Sequence, residues 1–526
     1  MDLSKYFPYK EVRPQQEEVI QTLLENWDKK KYFILQLDVG TGKSGIAKCM
    51  ANYSPSSFII TSTKQLQDQY LSDFANESNM AEIKGKNNYK CLRNTNTTCD
   101  LATCKIGGRS CPLASQCLYT VQRKRAQAAQ ICLTSYAYAL KAITNESLWP
   151  KRDLIVFDEA HLLESELVNL TSFYLDPQEL EDKYDLYNSL SDEEYRKVMS
   201  KTSTDFWPII NATKRTLEEK IKDFDLMLED IDESEIDQYK KTMKDKEKLA
   251  TLSSKICCFS STYSNDLDWL TGRTAEGGWQ FTPLKVKNLF KYFCSEWANK
   301  FIFMSATILD IDGYIEQLGV NKEDCCVIKM ESEFDPKKSP IYFMPCGSMS
   351  FKDMNETLPK EGKIVKQIMT AHEDEKGIIH SGNYKVAQYF YQQCYSSRYL
   401  YNKDGETNNQ TLIGKHTKSY KPTVLLSPSM TTGVDLRDDL SRWQVVAKLP
   451  YKSLADERVK KLSEIDPNWY ACDTLRSLIQ ACGRSTRSAD DSSKTYVLDG
   501  GFARLVKMHK SWLPQSFLKR IVGLDV

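Results

Sequence analysis

Residues 32–50 read Tyr-Phe-Ile-Leu-Gln-Leu-Asp-Val-Gly-Thr-Gly-Lys-Ser-Gly-Ile-Ala-Lys-Cys-Met, and three kinds of chain follow one another in them. Residues 32–37 are a short apolar run with the pattern of a buried strand. Residues 45–50 read as the first turns of a helix. Between them lies a phosphate-binding loop. Gly40 and Gly42 give its backbone conformations closed to other residues, so successive N–H groups converge on one anion, and the helix N-terminus adds its partial positive charge. Thr41 sits between these glycines. Lys43 reaches the β- and γ-phosphates of a nucleotide such as ATP, and the Ser44 hydroxyl is a ligand for Mg²⁺. The usual pattern, G-x-x-x-x-G-K-[ST], begins here at Leu37 instead of glycine, while both glycines nearest the lysine stand. A chance glycine-rich turn would not be framed by a strand and a helix.

Working outward, residues 57–62 are a second strand candidate, with Thr61 and Thr63 at its end suited to a DNA phosphate or, for Thr63, to plain helix capping. Upstream, Arg13 and Gln16 share a face near the start of a helix. They suit an adenine edge or an exposed polar helix start. Downstream, residues 154–157 form a buried strand that ends in Asp158-Glu159-Ala160-His161. In this context Asp158 is expected to hold Mg²⁺ and Glu159 to polarise the attacking water. His161 is a candidate relay between the nucleotide and other motifs.

The chain has 526 residues, enough for three or four domains, with 41% apolar residues and no apolar run of 18. Its 71 basic and 71 acidic residues cancel, so a nucleic acid must be met by a local groove. There is no signal-peptide pattern at the N-terminus, and a cytoplasmic protein without membrane contact is expected. Sixteen cysteines in such a chain read as reduced thiols or a metal site. Five of them, Cys91, Cys99, Cys104, Cys111 and Cys117, fall within 27 residues with the spacing C-x₇-C-x₄-C-x₆-C-x₅-C. No histidine lies among them, which excludes a Cys₂His₂ finger. Thiolates select Zn²⁺ or an iron–sulfur cluster. Without paired C-x₂-C knuckles the spacing favours a [4Fe–4S] cluster over zinc. The segment is polar and loop-rich, and such a segment needs a staple.

From about 166 to 278 charged runs alternate in sign, the pattern of exposed, salt-bridged helices in an inserted domain. Residues 301–304 are a strand ending in Ser305-Ala306-Thr307. The second half repeats an α/β rhythm without a phosphate loop, with strand candidates at 377–380, 423–426, 443–447 and 495–498. Arg484 and Arg487 are three apart on a helix, so they point the same way. Two guanidiniums so placed complete a γ-phosphate site or belong to an ordinary surface.

In this order the motifs resemble the XPD/DinG group of superfamily 2 helicases over nearly the whole chain. They are Arg13/Gln16, GTGKS at 40–44, Thr61–Gln69, the cysteines, DEAH at 158–161, SAT at 305–307, TTGVD at 431–435 and QACGRSTR at 480–487. The resemblance implies an α/β fold of two RecA-like motor domains with an inserted Fe-S domain and a helical arch domain. Motor domain 1 is expected at 1–84, 126–165 and 279–335, the Fe-S domain at 85–125, the arch at 166–278 and motor domain 2 at 336–526. It implies a [4Fe–4S] cluster on Cys91, Cys104, Cys111 and Cys117, with Cys99 spare. Gln480, Arg484 and Arg487 are expected to complete the ATP site, with Asp435 from the fifth motif. The expected activity is ATP-dependent 5′→3′ translocation on single-stranded DNA and unwinding of forked duplex. A monomer is expected, working with replication or repair proteins in a bacterial, archaeal or phage-infected cell. The alternatives are a scaffold that uses ATP only as a switch, and a DNA-stimulated translocase on DNA or RNA that does not unwind. Thr432 stands where the family has glutamate, and Asp499-Gly500-Gly501 replaces an acidic-x-basic run. With about 30 residues before the first strand, no N-terminal nuclease is expected.

Overall fold

The computed structural model describes residues 5–75, 78–102, 104, 111–142, 149–231, 235–402, 409–428, 436, 438–483 and 491–525. Arg484, Arg487 and Asp435, with the rest of TTGVD, lie outside the described residues.

The first sheet begins with β1 (Tyr32–Leu37), β2 (Ser57–Thr61), β3 (Met80–Glu82), β4 (Ile131–Ser135) and β5 (Arg152–Asp158). An inserted region then contributes β6 (Phe173–Leu175), β7 (Trp269–Arg273) and β8 (Trp279–Pro283), a small antiparallel sheet in the order β6-β8-β7. The chain returns with β9 (Ala298–Ser305) and β10 (Cys325–Met330). The first sheet is parallel, in the order β10-β1-β9-β5-β2-β4-β3. This order sets β9 between β1 and β5, so the phosphate loop, Ser305-Ala306-Thr307 and DEAH leave adjacent strands at one edge. That is the crevice in which open α/β sheets bind ligands.

Both faces of this sheet are covered, which is why its strands read as unbroken apolar runs. Phe33, Leu35 and Leu37 of β1 pack with Val156 of β5 on one face, while Ile34 and Phe157 pack on the other. The second apolar cluster runs on into the insertion, through Ile209, Phe259, Trp269 and Phe281. The insertion therefore shares a core with the first motor and is not purely helical. Its small sheet uses residues 279–283, past the boundary expected at 278. Its long helices, Trp207–Asp230 and Ile236–Thr262, pack along one another and carry the anticipated charged runs.

The second half builds β11 (Ile341–Gly347), β12 (Gly377–His380), β13 (Tyr399–Leu400), β14 (Val424–Ser427), β15 (Trp443–Val446), β16 (Lys494–Asp499) and β17 (Ile521–Val522). They form a second parallel sheet in the order β13-β14-β12-β15-β16-β11-β17, again with an apolar cluster on each face. The motors touch directly: Leu309, from the loop after β9, is buried in a cluster of the second motor.

Candidate nucleotide and nucleic-acid site

The helix after the phosphate loop spans Lys43–Tyr53. Gly40 and Gly42 have φ of +84° and +75°, in the left-handed region that glycine enters without strain. A Cβ on Gly40 would fall 2.2 Å from the Phe334 ring, and one on Gly42 would fall 2.1 Å from Gln16 Nε2. Gln16 is buried and donates to the carbonyls of Thr41 and Gly42 at 3.1 and 3.3 Å, while Arg13 donates to the Gly40 carbonyl at 2.9 Å. In this structure both side chains thus brace the phosphate loop. A cleft of about 420 Å³ opens beside them, lined by Tyr9, Arg13, Gln16, Ser44, Gln69 and Asp73. Tyr9 is half-exposed there and was not anticipated; the sequence shows only an aromatic four residues before Arg13. Lys43 Nζ folds back on the Leu37 carbonyl at 3.2 Å. Thr63 caps the next helix, accepting from Leu66 N, and Thr61 is buried with its hydroxyl on main-chain carbonyls.

DEAH stands across β9 from this loop. Asp158 is buried; burial, then Glu159, pushes its carboxyl up to about 7 against the pull of Lys43 and Tyr70. The Tyr70 hydroxyl donates to Asp158 Oδ2 at 3.0 Å and lies near Ser44. Two hard oxygen donors, Ser44 and a carboxyl reluctant to ionise without a nearby cation, fit Mg²⁺. Glu159 has φ +52°, rare for a residue with a side chain and concentrated at functional sites.

From Glu159 a hydrogen-bond chain crosses to the second motor. Ser305 Oγ donates to Glu159 Oε2 at 3.2 Å, His161 Nδ1 lies 2.7 Å from Ser305 Oγ, and Gln480 Nε2 lies 2.9 Å from His161 Nε2. Burial, then the positive Arg476 and Lys43, holds His161 well below its usual range, so the ring is neutral. With the proton on Nδ1, every group in the chain is satisfied. Gln480 also donates to Thr307 Oγ1 at 3.3 Å, and Arg476 to the Thr307 carbonyl at 3.0 Å. A cleft of about 350 Å³ beside this bridge is lined by both motors, including His161, His380, Lys448 and Arg476. Next to it Arg458 of the second motor meets Glu164 at 2.7 Å and the Pro283 carbonyl at 2.6 Å.

The cysteine segment is tied down at its ends. Cys117 precedes the helix Leu118–Ala128, and the buried Arg152 guanidinium donates to the carbonyls of Ala126 and Gln127 in its last turn and of Ala129 and Gln130 just past it. Burial, then the sulfurs of Cys111, Cys91 and Cys117, pushes the Cys104 thiol up to about 11. Those are the four cysteines expected to hold a cluster. Cys99 Sγ lies 3.9 Å from Cys117 Sγ, so the cysteine expected to be spare belongs to the same group. Thiolates are soft donors of the kind that bind an iron–sulfur cluster or zinc. Among the described residues, however, no group of three or more His, Cys, Asp or Glu is arranged to hold a metal ion. Nor, among them, is any helix long and apolar enough to cross a membrane.

Comparison with known proteins agrees with this geometry. Residues 366–519 match the helicase C-terminal domain family, and residues 9–213 match the type III restriction enzyme res subunit family. The ATP-dependent DNA helicase YoaA of Haemophilus influenzae is 22% identical, over 97% of this chain and 93% of that protein. Its namesake in Escherichia coli is 21% identical, over 94% and 92%. A solved XPD helicase superposes with a TM-score of 0.63 at 14% identity, covering 96% of this chain and 98% of its own. Xpd4 of S. tokodaii does so with 0.61 at 14% identity, covering 98% and 100%. In motif order and in these relatives the chain is similar to the XPD/DinG helicases of superfamily 2, and it shares the fold of the solved XPD helicases.

Proposed function

We propose that this protein is an ATP-dependent DNA helicase that moves 5′→3′ on single-stranded DNA and opens forked duplex, with a [4Fe–4S] cluster on Cys91, Cys104, Cys111 and Cys117. The observation that carries the motor reading is the Glu159–Ser305–His161–Gln480 chain. It joins the residue placed to polarise water to the opposite motor, so that closing of the cleft and hydrolysis are linked. Lys43 and the loop N–H groups bind the phosphates, and Ser44 and Asp158 hold Mg²⁺. That ion would offset charge on the phosphates as the γ-phosphoryl group transfers. Gln480, Arg484 and Arg487 close the site from motor domain 2, and Asp435 joins it through the fifth motif. Arg13 and Gln16, which brace the loop, read the adenine side.

The proposed division is motor 1 at 1–84, 126–165 and 284–335, cluster domain at 85–125, arch from 166 through the end of its small sheet at 283, five residues past the expected 278, and motor 2 at 336–526. The cluster would staple a segment too small and polar to fold by apolar burial alone. The protein works as a cytoplasmic monomer alongside replication or repair proteins.

The test is ATPase and strand displacement on 5′-tailed, 3′-tailed and RNA substrates, with iron measured on anaerobically purified protein. Expected are DNA-stimulated turnover, displacement from the 5′ tail only, and about four irons per chain. Cys104→Ser should lose iron and unwinding while keeping much of its ATPase activity. Displacement from the 3′ tail alone overturns the direction. Stimulated turnover without displacement favours a translocase, and one zinc per chain replaces the cluster.

A further inference from the structure

Tyr70 lies on the helix Lys64–Asp73, fully buried in the apolar cluster beneath the phosphate loop. Its ring packs against Phe74, as a core tyrosine would. Its hydroxyl does something more specific. It donates a hydrogen bond to Asp158 Oδ2 at 3.0 Å and lies near Ser44, the other side chain expected at the metal site. The other carboxylate oxygen, Oδ1, accepts from Glu159 N at 2.9 Å, and the Tyr136 hydroxyl donates to the Asp158 carbonyl at 3.2 Å. The carboxylate plane of Asp158 is therefore fixed at both oxygens, at one of them by Tyr70.

We propose that Tyr70 is a positioning residue for the divalent cation: its hydroxyl fixes the Asp158 carboxylate so that this ligand is oriented before metal and nucleotide arrive. The role assigned to Tyr70 rests on the nucleotide reading of the site. Groups that orient metal ligands typically govern ten- to hundredfold in metal affinity. Tyr70→Phe keeps the ring in its core position and removes only the hydroxyl.

The probe is Mn²⁺, titrated by electron paramagnetic resonance into the full chain with saturating ADP; ADP affinity is measured separately in excess chelator. Tyr70→Phe should weaken Mn²⁺ ten- to hundredfold and leave chelator ADP affinity within twofold of the parent. Adding Tyr70→Phe to Asp158→Ala should cost less than adding it to the parent, because the group that Tyr70 orients is already gone. An unchanged Mn²⁺ affinity, or equal losses of Mn²⁺ and chelator ADP binding, would make Tyr70 a core residue only. If the parent chain itself bound no ADP, with or without Mn²⁺, the nucleotide reading would fail instead.

Discussion

The two motors share one architecture and treat anions in opposite ways. Each is a seven-stranded parallel sheet covered on both faces. In the first, the loop after β1 leads into a helix N-terminus, whose partial positive charge suits an anion. In the second, the chain's own carboxylate meets main-chain N–H groups. Asp499, at the end of β16, accepts from Met349 N, Leu449 N and Gly501 N at 3.4, 3.0 and 2.9 Å. A phosphate site in one sheet corresponds in kind to an internal carboxylate in the other. The fold does not decide between them; the residues at the strand ends do.

If motor 2 contributes only charge reaching across the cleft, Arg484 and Arg487 carry that contribution. Loss of the arginine that acts as a finger should lower turnover by roughly 10³–10⁵ with little loss of ATP binding. Steady-state kinetics with a nucleotide-binding assay checks this. A change of only a few-fold in both variants would leave motor 2 without chemistry and break the comparison on that side.

A smaller effect is expected where the motors are held together. Glu164 and Arg458 are each 12% exposed, and Trp469 Nε1 also donates to Glu164 at 2.9 Å. Burial works to raise the Glu164 carboxyl, and Arg458 and Trp469 together hold it below the usual range. Arg458→Ala strands that carboxylate and should cost about 3–5 kcal/mol in denaturant unfolding. The pair Glu164→Gln with Arg458→Met should cost less, because no lone charge remains. Equal losses would show that packing of the arginine stem, not charge, joins the motors.

Much of motor 1 was legible because its chemistry is local in sequence. The strand, glycines and helix of 32–50 sit together, and β1 falls at the residues read as a strand. The DEAH motif is equally local. What the sequence does not spell are contacts made by distant residues. Tyr70 reaches Asp158 from 88 positions away, and Phe334 covers Gly40 from the far side of the insertion. Neither carries a pattern, since a core aromatic looks the same whether or not its hydroxyl is used. β10, Cys-Cys-Val-Ile-Lys-Met, was not anticipated because it mixes exposed and buried positions at a sheet edge. Gly501, which stands where the family has a basic residue, is closely packed: a Cβ there would fall 3.2 Å from Asp499 Oδ1 and 3.3 Å from Leu449 Cδ1.

The mildest test of the comparison is a second buried carboxylate. In motor 1, Asp158 is the carboxyl proposed to meet a cation; in motor 2, Glu361 has only a proton. Glu361 is fully buried on the helix Met354–Ala371, and among the described residues neither of its side-chain oxygens has a hydrogen-bond partner. Burial, then Asp499, pushes its carboxyl up to about 9, while Lys448 pulls the other way and Cys346 also feels its charge. An unfolded glutamate ionises near 4.5, so folding takes up a proton throughout the window between these values. The favourable contribution is complete below the lower value and is lost as pH rises through the upper one. Each pH unit in that window is worth about 1.4 kcal/mol, so the step from pH 6 to 8 removes roughly 2–3 kcal/mol. Glu361→Gln keeps the shape and carries no proton to lose. Its stability relative to the parent should rise with pH by nearly tenfold in the folding equilibrium per unit, read from denaturant midpoints at pH 6, 7 and 8. Parallel pH slopes for the two proteins would mean that Glu361 is ionised in place, with Lys448 its counter-ion. The carboxylate cluster of motor 2 would then be a paired charge site like that of motor 1, and the contrast between the two sheets would rest on Asp499 alone.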